Sequence, residues 1–224
     1  MTTTANPDRV RLLVVDDDPL VRSALVLMLG GQQDLTVVGE ASDGREALRR
    51  VDELHPTVVL MDIRMPRMSG LEATRALHQR PDPPHVIVLT TFDADEHVLG
   101  ALAAGADGFL LKDTPPPQIL EAIRAVADGD PMLSPSVTRT LIDRIRDDSG
   151  DDREDVARAR LGVLTGREQD VALAVGRGLT NAEIARELHL SVPTVKAHVS
   201  RLFDKLQVTN RVQIAICVHD AGLV

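Results

Sequence analysis

The spacing of apolar residues changes between the first half of the chain and its last third. In the first half, short apolar runs are separated by amphipathic stretches; the runs cover residues 11–15, 35–38, 57–61, 86–89 and 108–111. Nearly continuous apolar strands are typical of a parallel sheet with both faces covered. Their alternation with helices predicts an α/β fold built on a five-stranded, doubly wound parallel sheet.

Helix boundaries in the first half have capping signals. Pro19 follows Asp18 as a first-turn proline follows an N-cap residue, and Ser69 with Glu72 has the spacing of a capping box. Gly30 stands where a helix would stop. These signals support the helices that the alternation predicts.

The last third has the pattern of short helices joined by tight turns. Thr165 and Thr180 each begin a capping box, and Ser191 caps a third helix with Pro193 in its first turn. A fourth helix is predicted over about residues 211–219. Short helices with three- or four-residue turns predict an all-α, four-helix domain of the helix-turn-helix type.

Charge divides the chain at similar places. The protein has 224 residues and a net charge of −9; residues 1–128 have 12 basic and 20 acidic side chains, whereas residues 161–224 have 7 and 6. The contrast predicts two modules with different partners, one over residues 1–127 and one over 161–224. Residues 128–160 are predicted to form a linker, with a short helix around Leu141, Ile142 and Ile145 and a flexible acidic stretch over 147–155.

Composition argues against several classes of function. Cys217 is the only cysteine, which excludes an internal disulfide and a zinc site with several cysteines. Three Phe and no Trp or Tyr argue against stacking of nucleic-acid bases on an aromatic platform. The N-terminus lacks an apolar signal core, and no apolar run approaches the roughly 20 residues that span a bilayer. A cytoplasmic protein without membrane contact is therefore expected.

Polar residues follow four of the five predicted strands. Asp16 and Asp17 follow the first strand, Asp62 follows the third, and Thr90 and Lys112 end the fourth and fifth. The carboxyl ends of the strands in a doubly wound sheet form one crevice. Each feature alone has an ordinary structural explanation, as a helix cap or a solvated lysine. Their convergence in one crevice favours a functional site.

Such a site has the chemistry of phosphoryl transfer. Three carboxylates repel one another and need a cation, and hard oxygen ligands favour Mg²⁺. Asp62 could then attack phosphorus and form an acyl phosphate. Lys112 would neutralise phosphoryl charge, and the Thr90 hydroxyl would hydrogen-bond a phosphoryl oxygen.

The motifs around these residues resemble the receiver domain of bacterial response regulators over about residues 9–127. The resemblance implies a flavodoxin-like fold and phosphorylation of Asp62 by a partner histidine kinase. It also implies that Asp17 and Asp62 bind Mg²⁺ directly, that Asp16 helps through water, and that the main-chain carbonyl of Arg64 is a further ligand. The motifs are Val14-Val15-Asp16-Asp17, Met61-Asp62-Ile63-Arg64-Met65-Pro66 with Gly70, Leu89-Thr90, and Phe109-Leu110-Leu111-Lys112.

The same resemblance implies a switch formed by Thr90 and Phe109. After phosphorylation the threonine hydroxyl would move inward, and the ring of Phe109 would follow into the vacated space. This is a population shift between two packings of one fold. Phe109 lacks a hydroxyl that could hold its ring, and a plain core role for this residue is the alternative.

The predicted third helix of the last domain, over about residues 192–206, has an apolar stripe and an opposite polar face. A partly basic polar face suits the major groove of DNA. Thr180 begins the supporting helix, whose N-terminus can face a phosphate. Because every amphipathic helix has a polar face, a plain packing domain stays open on this pattern alone. The polar face comprises Thr194, Lys196, Ala197, Ser200, Arg201 and Lys205.

Motifs in this region resemble the LuxR-type helix-turn-helix. They are Leu164-Thr165-x-Arg167-Glu168, Gly178-Leu179-Thr180-Asn181-x-Glu183-Ile184-Ala185 and Ser191-x-x-Thr194-Val195-Lys196-x-His198-Val199. Together with its receiver-like half, the chain is similar to the NarL/FixJ subfamily of two-component response regulators. The resemblance implies that Lys196, Ala197 and Ser200 meet DNA.

A homodimer is expected when the protein is phosphorylated. A single small module has limited affinity for DNA, and two modules on half-sites about one helical turn apart correct this. Val212 and Ile216 in the last predicted helix are the candidate dimer residues, with ordinary core packing as their alternative.

The leading hypothesis is a phosphorylation-controlled, DNA-binding transcription regulator that is not an enzyme. Phosphorylation would promote dimerisation or release of the DNA-binding domain. One alternative is a phosphotransferase of the haloacid dehalogenase type, which also uses an aspartyl phosphate and Mg²⁺. Its nucleophile follows the first strand, however, whereas the isolated Asp62 follows the third. The other alternative is a DNA-binding regulator that does not depend on phosphorylation, which would not need the complete pocket.

Overall fold

A computed structural model describes residues 9–91, 100–133 and 151–224, with the side chains of all of these except 151–155. The chain forms two compact units. The N-terminal unit comprises Met1–Ala127 and Met132–Ser134, and the C-terminal unit comprises Asp128–Pro131 and Pro135–Val224.

The N-terminal unit alternates strands and helices. Its described elements are β1 (Val10–Val15), α1 (Pro19–Leu29), β2 (Leu35–Ala41), α2 (Gly44–Leu54), β3 (Val58–Met61), α3 (Gly70–His78), β4 (His85–Thr90), β5 (Gly108–Leu111), α4 (Pro116–Ala127) and β6 (Met132–Leu133). The strands form one parallel sheet with the order β2-β1-β3-β4-β5-β6. The predicted α/β fold with five doubly wound parallel strands is confirmed. The sixth strand was not predicted, because two residues are too few to show a period.

Both faces of the sheet are covered, which explains why the strands are apolar at nearly every position. Successive side chains of a strand point to opposite faces. One face packs against Leu25 and Leu29 of α1 and Ile123 of α4. The strand residues on that face include Leu12, Val14, Val58, Leu60, Ile87, Leu89 and Leu110. The alternating residues Leu13, Val15, Val59, Met61, Val88 and Phe109 are buried on the other face.

The C-terminal unit is helical. Its described helices are α5 (Asp151–Leu161), α6 (Gly166–Gly176), α7 (Asn181–Glu187), α8 (Val192–Leu206) and α9 (Arg211–Asp220). The capping boxes at Thr165 and Thr180 and the Ser191 cap are present as predicted. Among the described helices, none is long and apolar enough to cross a bilayer.

The last part of the predicted linker, from residue 151 onwards, differs from the prediction. Residues 151–161 are helical rather than a flexible spacer, and Ala157 and Leu161 of α5 are buried in the core of the C-terminal unit. Arg158 of the same helix donates to the Ala221 carbonyl at 3.1 Å. Two apolar residues one turn apart are inconspicuous in an acidic sequence, so this helix was not predicted. The short helix predicted around Leu141, Ile142 and Ile145, and the acidic residues 147–150, lie outside the described residues.

Candidate functional site

Three aspartates meet at the carboxyl ends of β1 and β3. These strands are neighbours with Val15 opposite Met61, so Asp16 and Asp62 leave the sheet side by side. One carboxylate oxygen from each of Asp16, Asp17 and Asp62 lies within 4.8 Å of the other two. Asp16 and Asp62 are buried, whereas Asp17 is exposed. Three hard oxygen donors at this spacing can hold a divalent metal ion.

Lys112 follows β5 and reaches the same carboxylates. Its Nζ lies 2.5 Å from Oδ2 of Asp16 and 3.3 Å from Oδ1 of Asp62. Burial alone would lower the pKa of Lys112, but the hydrogen bonds and attraction from Asp16 and Asp62 raise it above its ordinary value. The ammonium therefore stays charged and offsets part of the repulsion between the carboxylates.

Asp62 is the aspartate whose environment opposes ionisation. Burial raises the pKa of Asp62 above its ordinary value, and the nearby Asp16 carboxylate adds to this against the attraction of Lys112. A perturbed carboxyl group beside a lysine in a crevice is typical of a functional site. A bound cation would favour the ionised form that a nucleophile needs.

The loop over residues 63–69 leads from Asp62 into α3 and is closely held. The Gly70 N–H donates to the Ile63 carbonyl at 2.9 Å. A Cβ atom at Gly70 would lie 1.9 Å from the Asp62 carbonyl oxygen, so a side chain there would force the backbone to move. The carbonyl of Arg64, predicted as a metal ligand, belongs to this loop.

The two predicted switch residues are close in the sheet. Thr90 ends β4 opposite Leu111, and Phe109 lies on β5 opposite Val88. Strand alternation puts the side chains of Thr90 and Phe109 on the same face of the sheet. Both are buried, with exposed fractions of 2% and 0%. A movement of Thr90 at the carboxyl end of β4 would therefore alter the packing around Phe109 in the core.

Asp18, which extends the acidic pair in the sequence, caps α1. Its Oδ1 accepts a hydrogen bond from the Leu20 N–H at 2.8 Å, and its own N–H donates to Oδ1 of Asp16 at 2.9 Å. Arg22 holds the same corner, since its Nη1 donates to the Asp16 carbonyl at 2.7 Å. Capping and the orientation of Asp16 account for Asp18 structurally.

In the C-terminal unit, α8 buries its apolar side and exposes most of the residues predicted to face DNA. Val195, Val199, Leu202 and Leu206 are buried. A buried stripe opposite an exposed basic face is the geometry of a helix that enters the major groove. Lys196 Nζ lies 3.6 Å from Oδ1 of Asp128, and the side chains of both residues are exposed. The exposed residues include Thr194, Lys196, Ala197, Ser200 and Arg201.

Two other residues predicted to contact DNA have structural partners. Lys205 Nζ lies 2.7 Å from Oε2 of the buried Glu168, which also accepts hydrogen bonds from the N–H and hydroxyl of Thr165. The bonds from Lys205 and Thr165 lower the pKa of Glu168 to about 2. The Thr180 hydroxyl donates to Glu183 at 2.9 Å. These contacts give Lys205 and Thr180 structural roles, and their contact with DNA stays a prediction.

The candidate dimer residues are placed differently on α9. Val212 is buried with an exposed fraction of 8%, and Ile216 is half-buried. Of the two, Ile216 has the greater accessible surface for a partner.

Two polar clusters escaped the sequence reasoning. The buried carboxylate of Asp43 forms an ion pair with Arg67. In the C-terminal unit, the buried Arg211 donates to Oδ1 of Asn181 at 2.7 Å and also contacts the Leu179 carbonyl. Each pair joins residues distant in sequence, which no local pattern reveals. The one available signal was Asp43 before Gly44, which has the form of a helix cap.

Comparison with protein families matches both units. Residues 12–124 match the response regulator receiver domain. Residues 162–218 match the bacterial regulatory proteins of the luxR family.

Individual relatives match the chain over nearly its whole length. The chain is 39% identical over 215 residues to the transcriptional regulatory protein LiaR of Bacillus subtilis, covering 96% of this chain and 99% of LiaR. It is 34% identical over 215 residues to the nitrate/nitrite response regulator NarL of Escherichia coli K12, covering 96% and 97%. Among solved structures, the response regulator ChrA of a heme-sensing two-component system has 33% identity and a TM-score of 0.53, covering 97% of this chain and 100% of ChrA.

Proposed function

This chain belongs to the response regulators that join a receiver domain to a LuxR-type DNA-binding domain, and on that premise we propose that Asp62 accepts a phosphoryl group from a sensor histidine kinase. The convergence of Asp16, Asp17, Asp62 and Lys112 in one crevice is the observation that carries the proposal. Residues 1–127, with β6 added to their sheet, would form the receiver, and residues 161–224, with α5 packed on their core, would bind DNA.

The aspartate cluster fits Mg²⁺, since its donors are carboxylate oxygens within reach of one ion. Asp17 and Asp62 would bind the ion directly with the Arg64 carbonyl, and Asp16 would act through water. When bound, the ion neutralises carboxylate charge and attracts phosphoryl oxygens.

The transfer step uses groups that the fold already places together. An oxygen of the Asp62 carboxylate attacks the phosphorus of a phosphohistidine. The P–N bond breaks with its electron pair left on the imidazole, and an acyl phosphate forms on Asp62. Lys112, whose Nζ is 3.3 Å from Asp62, pairs with one phosphoryl oxygen, and the Thr90 hydroxyl hydrogen-bonds another.

The effect on DNA is indirect. Thr90 and Phe109 respond to the acyl phosphate by changing their packing, and the protein then forms a homodimer or releases its DNA-binding domain. Two copies of α8 would enter successive major grooves of double-stranded DNA at promoter half-sites. The residues proposed to meet DNA are Thr180, Thr194, Lys196, Ala197, Ser200, Arg201 and Lys205.

Labelling with ³²P-acetyl phosphate in the presence of Mg²⁺ tests the site. Wild-type protein should take up acid-stable, hydroxylamine-sensitive label, because an acyl phosphate is cleaved by that nucleophile. Asp62→Asn should retain less than about 1% of the label, since the amide is not a nucleophile. Glu121→Gln, which changes an exposed carboxylate in α4 of the same unit, is the matched control and should label normally.

This labelling experiment, together with an assay for phosphate release, separates the alternatives. Label that persists in Asp62→Asn would refute the assignment of the phosphoacceptor. Continuous release of phosphate from small phosphate esters by the wild type would favour a phosphotransferase over a regulator. Absence of any label in the wild type would favour a DNA-binding protein that does not depend on phosphorylation.

A further inference from the structure

The loop after Asp62 contains a residue in an uncommon backbone conformation. Arg67 has a φ angle of 66°, in the left-handed region that residues other than glycine rarely adopt. The Met68 N–H donates to the Pro66 carbonyl at 2.7 Å, so the chain turns tightly around Arg67. Such a conformation persists only where surrounding contacts hold it.

An ion pair with Asp43, the N-cap residue of α2, holds Arg67. Arg67 Nε donates to Oδ2 of Asp43 at 2.7 Å, and Nη2 contacts the same oxygen. The other Asp43 oxygen accepts the Glu46 N–H at 2.9 Å and caps α2. The Asp43 side chain is only 5% exposed, and a charge buried to this extent needs a partner. Each residue of the pair therefore stabilises an arrangement that would be unfavourable without the other.

A second contact joins the same loop to α2. The Gly44 N–H donates to the Met68 carbonyl at 3.1 Å. A Cβ atom at Gly44 would lie 2.8 Å from Met68 Cγ and 2.9 Å from the Met68 carbonyl oxygen. The loop and the helix thus approach as closely as glycine permits. The strand before Asp43 is linked to the aspartate cluster as well, because the Asp16 N–H donates to the Ala41 carbonyl at 3.2 Å.

We propose that Asp43 and Arg67 are positioning residues for the phosphoacceptor site. Their ion pair fixes residues 63–69 against the N-terminus of α2, and it thereby holds the Arg64 carbonyl and the Asp62 carboxylate where one Mg²⁺ ion can contact both. The inference rests on the proposed function, because it takes Asp62 as a Mg²⁺-dependent phosphoacceptor. Neither side chain needs to touch the ion or the phosphoryl group.

The variant Arg67→Gly tests whether Arg67 positions the Mg²⁺ ligands, in a protein that should stay folded. Glycine adopts the left-handed conformation without strain, which offsets part of the lost ion pair, so the variant should stay folded. The dissociation constant for Mg²⁺ alone, measured by isothermal titration calorimetry on the full chain, should rise about tenfold, as typically follows loss of an outer-shell partner. Electrostatics alone gives the opposite sign, since removing a cation near a metal site favours metal binding. Mg²⁺ binding equal to or tighter than that of the wild type would overturn the proposal.

Arg45→Ala is the matched control. Arg45 is exposed in α2, two residues after Asp43, so its removal changes the charge near the site while the Asp43–Arg67 ion pair stays in place. Its Mg²⁺ affinity should equal that of the wild type or exceed it slightly. Weakening as large as in Arg67→Gly would show that the effect is not specific to the Asp43–Arg67 pair and would overturn the proposal.

Asp43→Asn supplies an independent second variant. The amide oxygen can still accept the Glu46 N–H and cap α2, but it lacks the charge that binds Arg67. Mg²⁺ binding should weaken to a similar extent, and the double variant Asp43→Asn/Arg67→Gly should be no more than about twofold weaker than either single variant, because both break one interaction. Fully additive weakening would show that the residues act separately and would overturn the pair.

Failure of this inference can be told from failure of the proposed function. If wild-type protein is labelled at Asp62 and both variants bind Mg²⁺ normally, only the positioning role is refuted. If the wild type is not labelled at all, the phosphoacceptor assignment is refuted whatever the variants do.

Discussion

One glycine, Gly70, determines how the chain passes Asp62. A Cβ atom on any larger residue at position 70 would lie 1.9 Å from the Asp62 carbonyl oxygen and 3.0 Å from Met61 Cγ. The Gly70 N–H also donates to Ile63. The absence of one methyl group is therefore part of the geometry that directs the Asp62 carboxylate towards Asp16 and Asp17.

Gly70→Ala should disturb this geometry measurably. The added methyl group must displace the Asp62 backbone or the start of α3, and overpacking of this kind costs about 2 kcal/mol. Urea unfolding of the receiver, followed by circular dichroism, should report that loss, and Mg²⁺ binding should weaken with it. Gly31→Ala is the control, because a Cβ atom there meets nothing within 4 Å; it should change stability by less than about 0.5 kcal/mol. An unfolding curve of Gly70→Ala that overlays the wild type would contradict the steric argument.

Two helices of the C-terminal unit begin with the same capping box but differ in one partner. At α6, Thr165 and Glu168 exchange hydrogen bonds, and Lys205 of α8 adds an ion pair at 2.7 Å. At α7, Thr180 and Glu183 form the same box, and Glu183 is exposed. The pKa of Glu168 falls to about 2, and hydrogen bonds from Thr180 lower the pKa of Glu183. The Thr165–Glu168 box therefore links α6 to α8 through Lys205, whereas the Thr180–Glu183 box caps α7.

Because of the ion pair between Lys205 and Glu168, the free energy of unfolding should fall as the pH is lowered below about 4.5. A carboxyl group with a lowered pKa in the folded state stabilises the protein fully above its unfolded pKa, and the contribution is lost as the pH falls through the folded pKa. For Glu168 this window runs from an ordinary value of 4.5 down to about 2. Glu168→Gln cannot titrate, so its unfolding midpoint should lie below that of the wild type at pH 7 and converge with it between pH 4.5 and 2.

Glu183→Gln is the matched control for that comparison, because it alters the same type of capping box without a lysine partner. Its difference from the wild type at pH 7 should be smaller than that of Glu168→Gln. Equal differences for the two variants, or a Glu168→Gln difference that does not shrink in acid, would show that the Lys205 ion pair contributes little.

These elements also show which features a sequence can reveal. The sequence predicts the capping boxes, the alternation of apolar strands with helices, and the aspartates at strand ends. These features involve neighbours in sequence or the fixed geometry of a parallel sheet. Glu168 with Lys205, and Asp43 with Arg67, join residues 37 and 24 positions apart. Such pairs depend on how the elements pack, which local patterns do not specify. Helix α5 was missed for a related reason, since only Ala157 and Leu161 of its described side chains are buried in the core.

At the scale of the whole molecule, Asp62, the proposed phosphoacceptor, and α8, the helix proposed to face DNA, belong to different units. A phosphoryl group on Asp62 can influence α8 only if the receiver has two packings whose balance it shifts. Thr90 and Phe109 are suited to this because they lie on one face of neighbouring strands in the buried core. A buried ring cannot drift continuously in a close-packed interior, so its movement changes the unit as a whole.

Thr90 should therefore couple phosphorylation to dimerisation without being needed for phosphorylation itself. Sedimentation velocity of the wild type with Mg²⁺ and beryllofluoride should show a dimer dissociation constant about tenfold lower than without them, within the usual range of coupling between sites. Thr90→Val keeps the branched shape but lacks the hydroxyl, so it should still take up label from acetyl phosphate and should lose most of that gain. Thr90→Ser restores the hydroxyl and should recover it. A Thr90→Val protein that dimerises as strongly as the wild type would exclude the hydroxyl from the route and leave the response to other groups at the site, such as Lys112, whose Nζ lies 3.3 Å from Asp62 Oδ1.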